Sequence, residues 1–270
     1  TLWPVLQSLY YSFTDYSMLE QENWVGFANY QKLFFEDTSF RNSVKATLIY
    51  VLVAIPLKLV FSLLIAMLLN RKLRGMYLYR TIVYFPSLIG GSVAVAILWS
   101  KIFGVGGLVN EALLLVGIEG KNWIGIPETA LGTLIVLAIW QFGSSMVIFL
   151  AGLKQIPHEL YEAAAVDGAG KRSVFLNITL PMLSPIILFN LVLQTIGGFQ
   201  MFTQAFIITN GGPMESTYVY ALYLFQKAFV EFSMGYASAL AWVMLVLIGI
   251  ITLIIFGTSK YWVHYESKGV

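Results

Sequence analysis

Long apolar stretches separated by short polar segments set the pattern of this chain. Continuous apolar runs occupy 46–69, 81–103, 130–153, 182–208 and 236–258. Each has the length at which about 20 helical residues, rising ~1.5 Å apiece, cross a hydrocarbon core of ~30 Å. A shorter run, 1–13, reads as the end of a further span whose beginning is absent. The runs are continuous rather than alternating, which favours helices over the ~10-residue alternating strands of a membrane barrel. The expected fold is all-α: one transmembrane domain over residues 1–270, a polytopic bundle of six helices with the first truncated.

Composition agrees. Of 270 residues, 58% are hydrophobic and 11% charged, against about 25% charged in ordinary soluble domains. This excludes a typical soluble enzyme and a nucleic-acid-coating protein, both of which need more charge. With no Cys there is no disulfide framework and no thiolate metal site, and the two His, His158 and His264, stand far apart in sequence.

The net charge of +2 is uninformative, but its placement is not. Arg71, Lys72, Arg74 and Arg80 crowd one connection without an acid, Lys154, Lys171 and Arg172 lie in 154–181, and Lys260 and Lys268 lie in the C-terminal tail. The alternate connections are acidic: Asp15, Glu20, Glu22, Glu36 and Asp37 in 14–42, Glu111, Glu119 and Glu128 in 104–128, Glu215 and Glu231 in 209–232. Basic connections favour the cytoplasmic side. The expected orientation puts 71–80, 154–181 and both chain ends inside. Pro56, Pro86 and Pro185, with Gly90–Gly91 and Gly197–Gly198, fall in or at the ends of spans. There they free backbone groups or allow close helix packing.

The connection 154–181 is long for a helical bundle and is patterned. Pro157, Glu159 and Glu162 suit the start of a helix through Val166, and Gly168 and Gly170 suit a sharp turn. Ser173 fits the N-cap of a second short helix, Val174–Thr179, ahead of Pro181. The expectation is two short helices meeting at a glycine corner on the membrane surface. The apolar positions Leu160, Ala163, Ala164 and Val166 would need a partner protein to cover them.

Here the chain resembles a known family. Glu162-Ala163-Ala164, then Gly168, Ile178 and Leu180-Pro181 reproduce the E-A-A-x3-G-x9-I-x-L-P signature of permease subunits of binding-protein-dependent ABC importers. Asp167-Gly168-Ala169, Pro185, Ser12-Phe13-Thr14-Asp15 and Asn210-Gly211-Gly212-Pro213 look like the carbohydrate branch, and the whole chain is similar to its MalF-type subunit.

The resemblance implies a non-enzymatic subunit of an ATP-driven importer of sugars or oligosaccharides in the bacterial inner membrane. It implies a second related permease, two ATPase subunits that hold the ATP and Mg, and an extracytoplasmic substrate-binding protein. The first short helix would dock on an ATPase through Leu160, Tyr161, Glu162, Ala163, Ala164, Asp167 and Gly168. The cargo could be a neutral sugar, a glycerol phosphate or an acidic oligosaccharide such as alginate.

The remaining residues are compatible with that role. Gly168–Ser173 lacks the glycine spacing and the Ser or Thr after Lys of a phosphate-binding loop. Neither His has ligand spacing, so no cofactor or metal is expected in this subunit, and no nucleic acid. The spans hold no Asp or Glu, which disfavours an ion-coupled transporter or a membrane enzyme. A sugar losing its water needs polar partners in the spans. Candidates are Gln141, Ser144 and Ser145 on one helical face, and Gln194, Gly198 and Met201 on another; interhelical hydrogen bonding is the competing use. Lys58, near the middle of its run, either faces an anionic cargo or meets the partner permease.

Overall fold

The computed structural model describes residues 2–17, 22–71 and 75–264. Lys72, Arg74, Glu20 and Lys268, used above for orientation, lie outside them. Fourteen α-helices follow one another: α1 Leu2–Tyr11, α2 Ala28–Gln31, α3 Thr38–Leu69, α4 Met76–Ile89, α5 Val93–Phe103, α6 Leu108–Leu114, α7 Pro127–Trp140, α8 Gly143–Leu153, α9 His158–Val166, α10 Lys171–Val174, α11 Leu180–Phe199, α12 Thr203–Ile208, α13 Tyr220–Phe225 and α14 Met234–Ser259. An isolated bridge pairs Thr14 with Trp24. The fold is the expected all-α membrane bundle.

Its spans are less regular than the apolar runs. Among the described residues, four segments are long and apolar enough to cross a membrane: Thr38–Leu69, Val93–Leu114, Lys171–Phe199 and Met234–Ser259; Pro127–Trp140 with Gly143–Leu153 makes a fifth if the bent pair is one span, its bend being 40°. The run 46–69 lengthens to Thr38, because Arg41 and Lys45 lie in opening turns that an apolar criterion passes over. The run 81–103 is not one helix. It breaks at Gly90–Gly91, and Ser92 restarts it by accepting a hydrogen bond from Val95 N–H at 3.3 Å. The run 130–153 breaks at Gln141–Phe142, and 182–208 ends at Phe199 before α12 resumes. Within 1–13 only ten residues are helical, too few to cross a ~30 Å core.

The connection after α9 also departs from expectation. Gly170, not Ser173, precedes α10, and Ser173 lies inside the helix with its Oγ accepting from Asn177 Nδ2 at 3.0 Å. No break occurs at Pro181: a π-helical turn, Phe175–Thr179, carries α10 into α11. This wide turn shifts the hydrogen-bond ladder just ahead of a residue that has no N–H to give.

The chain divides into two compact units. The first comprises Thr1–Leu52, Gly91–Ile135 and Ile196–Ile251. Its core is aromatic: Tyr220 and Tyr223 are buried, and Phe40 meets Tyr220 edge-on. In it α12 packs on α5, and Trp99 Nε1 donates to Thr133 O at 3.0 Å. The second comprises Val53–Gly90, Val136–Thr195 and Thr252–Val270. There α4 packs on α8 around buried Met146, Phe149 and Leu183.

Candidate functional site

The connection between α8 and α11 is an elbow. Pro157 precedes α9 in an extended conformation. The far end closes as a Schellman cap: Ala169 N–H donates to Ala164 O at 2.9 Å and Gly168 N–H to Ala165 O at 3.2 Å. That closure needs a left-handed residue, and Gly168 supplies it with φ +71°. The space around Gly168 is open, so a side chain there would meet backbone strain and no clash.

Little of α9 is tied down. Ala164 is buried, and Tyr161 is half-buried with its hydroxyl 3.2 Å from Thr179 Oγ1. Leu160, Glu162, Ala163, Asp167 and Gly168 are exposed, and Val166 is 88% exposed. The Glu162 carboxylate lies 3.0 Å from His158 Nδ1 one turn earlier, an exposed pair of little energetic weight. The elbow therefore presents Leu160, Ala163 and Val166 as an apolar strip among the exposed carboxylates of Glu159, Glu162 and Asp167.

The other predicted residues divide between the units. In the second unit, Gln141 stands at the break between α7 and α8. Its Nε2 donates to Gly90 O at 2.7 Å, capping the broken end of α4. Beside it, Gly143 N–H donates to Ser87 Oγ at 2.6 Å. The two helix breaks are thus bonded to each other, and a Cβ on Gly143 would lie 2.6 Å from Ser87 Oγ. The expected common face of Gln141, Ser144 and Ser145 does not form, because the bend intervenes: Ser144 is exposed, while Ser145 is buried with its Oγ unpartnered. Gln194 is half-buried near the end of α11. Gly198 and Met201 are buried in the first unit, Met201 past the end of α11, so helical spacing does not carry that face through.

Sequence reasoning missed Asn190. Its side chain is fully buried in α11 and neither Oδ1 nor Nδ2 has a partner. The available signal was a lone amide inside an otherwise apolar run. Such orphaned groups cost about 1–3 kcal/mol each.

Lys58 lies on the inward stripe of α3. Ala54, Ile55, Ser62 and Ala66, at helical spacings around it, are buried, whereas Leu57, Val60 and Leu64 are exposed. Ser62 Oγ donates to Lys58 O at 2.6 Å and lies 3.1 Å from Phe142 O at the bend. Phe61 meets Phe142 edge-on at 4.9 Å. Among the described residues, the Lys58 ammonium has no hydrogen-bond or ion-pair partner. A charge at this depth costs about 2.5–3.5 kcal/mol on insertion scales.

Two acids in the connections of the first unit are, by contrast, bonded internally. Asp37 accepts hydrogen bonds from the hydroxyls of Tyr223 and Tyr236 and, at 2.8 Å, from Phe40 N–H. Burial raises its carboxyl, but these donors and the charge of Lys227 outweigh it and hold the carboxyl below its ordinary range. Glu215, at φ +58°, accepts from Ser39 Oγ and Asn42 Nδ2, each at 2.7 Å. A cleft beside it is lined by Lys45, Glu128, Met214 and Ser216, and Met214 is 90% exposed. Among the described residues no three His, Asp or Glu side chains gather as metal ligands.

Comparison with known proteins adds the remaining finding. A family described as "Binding-protein-dependent transport system inner membrane component" matches residues 39–264. The chain is 55% identical over 271 residues to the probable ABC transporter permease protein YesP of Bacillus subtilis, covering 99% of this chain and 88% of that protein. It is 33% identical over 267 residues to the lactose transport system permease protein LacF of Rhizobium radiobacter, covering 96% and 88%. A chain of a bacterial ABC transporter involved in the import of the acidic polysaccharide alginate superposes with a TM-score of 0.82 at 23% identity, over 96% of this chain and 89% of that one. That last likeness is one of fold.

Proposed function

Because the chain belongs to the family of inner-membrane components of binding-protein-dependent transport systems, we propose that it is a permease subunit of an ATP-driven sugar or oligosaccharide importer, of the MalF type. It forms half of the translocation pathway beside a second, related permease. Its relatives include a lactose permease, which supports a saccharide cargo.

The observation that carries the mechanism is the elbow at 158–169. A capped helix with an uncovered apolar strip suits insertion into a cleft of an ATPase subunit. Leu160, Ala163 and Val166 supply the contact and Glu162 exchanges His158 for a basic group there. Gly168 fixes the angle at which α9 leaves α10, and α10 is continuous with α11. A push on α9 is delivered through the capped corner 167–170 to the long helix 171–199. ATP and Mg reside on two partner ATPases, and this subunit performs no chemistry of its own. The elbow and both chain ends face the cytoplasm. The acidic connections 14–42, 104–128 and 209–232 face the binding protein, with exposed Met214 and its cleft as a contact. The access of Gln141, Ser144, Ser145, Gln194, Gly198 and Met201 to the pathway changes as the bundle alternates.

Reconstitution with the partner permease, ATPases and binding protein tests this. Uptake of saccharide should require ATP and the loaded binding protein, and Leu160→Cys should crosslink to a cysteine-bearing ATPase. Uptake that proceeds without nucleotide or ATPases overturns the proposal.

A further inference from the structure

We propose that Lys58 selects an anionic cargo, an oligosaccharide bearing carboxylate or sulfonate groups, by serving as its counter-ion within the membrane. This rests on the importer reading and narrows its substrate class. Three observations lead there. First, the ammonium has no partner among the described residues, and the apolar runs contain no Asp or Glu to provide one. An embedded lysine with no internal counter-charge must meet one from outside the chain. Second, the side chain does not belong to the lipid-facing side of α3. It shares the stripe of Ala54, Ile55, Ser62 and Ala66, all buried, and is itself half-buried. Lipid phosphate is a poor counter-ion for that placement: Lys58 stands at the middle of the apolar run 46–69, not near the ends from which lysines reach the interface.

Third, Lys58 is tied through its own helix to the bend between α7 and α8. Ser62, one turn on, bridges to Phe142 O at the bend of α7 and α8, next to Gln141. Gln141 spends its Nε2 on Gly90 O, so its amide does not neutralise or occupy the ammonium. A carboxylate passing the bend would find one cation with no competing anion beside it. A neutral sugar would leave the cation unpaired. The arrangement thus rewards charge on the cargo.

The assembled importer in proteoliposomes provides the test, with a uronate trisaccharide as the anionic probe and neutral trisaccharides as controls. The binding protein should accept the uronate, and ATP-driven uptake should follow. Lys58→Gln and the apolar, similarly long Lys58→Met, which eases insertion, should each lower uronate uptake by about tenfold or more. Lys58→Arg should preserve it, and uptake of any neutral saccharide that the binding protein accepts should not fall. Uronate uptake unchanged in both charge-removing variants overturns the inference, as does a wild-type importer that carries neutral saccharides alone. Loss of co-purification with the partner permease in Lys58→Met, restored in Lys58→Arg, also overturns it, by assigning the counter-charge to that partner. No ATP-driven uptake of any saccharide by the wild type would instead mark failure of the importer reading.

Discussion

The acidic connections of the first unit and the elbow of the second are both polar segments between apolar helices, yet they are built in opposite ways. Around Asp37 and Glu215, side chains far apart in sequence satisfy one another: Tyr223, Tyr236, Ser39 and Asn42 all donate to carboxylates. Tyr220 adds a further tie, its N–H donating to Thr47 Oγ1 at 2.8 Å and its hydroxyl to Leu240 O at 2.8 Å. The elbow has the contact of Tyr161 with Thr179 and a buried Ala164. Everything else that shapes it is local, closed within α9 by its own cap. Around Asp37 and Glu215 the first region spends polar groups on itself. The other keeps a defined shape but leaves its contact surface unspent. On the function proposed above, that division suits a subunit that receives a moving part at one place and meets its binding protein at another.

The strongest way to break the contrast is to remove the hub of the closed region. Asp37→Ala should leave two tyrosine hydroxyls and the Phe40 N–H without their acceptor, costing about 2–3 kcal/mol, read as a lower thermal unfolding midpoint of the detergent-solubilised protein. The ATPase contact proposed for the elbow should be untouched. Asp37 also gives a sign for pH. Its carboxyl is held below the ordinary range, so the stability it adds is complete above the unfolded value, about 3.9, and is lost as pH falls through its lower folded value. Asp37→Asn should flatten that acid limb; an unchanged limb assigns it to another group.

A smaller effect is expected at Gly168, of a different kind. Gly168→Val forces a branched side chain into a left-handed conformation at a cost of about 1–2 kcal/mol, in open space. The strain falls on the cap alone, so assembly of the bundle should persist while substrate-stimulated ATP hydrolysis by the partner subunits is lost. Stimulation at the wild-type level would show that the corner's angle does not matter. Smallest is Tyr161→Phe, which removes the 3.2 Å contact with Thr179 and should cost about 0.5–1.5 kcal/mol. Measured by hydrogen exchange, it should loosen 158–166 without changing protection around Tyr220. Equal loosening in both regions would erase the distinction between them.

Much of this molecule is legible from residue order because its determinants are local. Membrane-length apolar runs announce helices wherever they occur, since a backbone in hydrocarbon has to satisfy its own polar groups. The elbow is readable for the same reason: Pro157, the helix formers that follow and Gly168 specify a start, a body and a stop within about a dozen neighbours. The breaks within spans are less readable. Gly90–Gly91 marks a weak point, but the bonds from Gln141 and to Ser87 that fix it come from over fifty positions away. Likewise, helical spacing groups Gln141 with Ser144 and Ser145 only if α7 continues, and its bend separates them.

The sequence by itself determined that this chain is a helical membrane protein with a patterned elbow after its fourth apolar run, because hydrophobic length and capping are properties of adjacent residues. Only the tertiary structure decided that Asp37 joins Tyr223 and Tyr236, that two helix breaks bond to each other, and that Ser145, Asn190 and Lys58 lie inward without a partner among the described residues. Those outcomes depend on which faces of distant segments meet, and no local spacing records that choice.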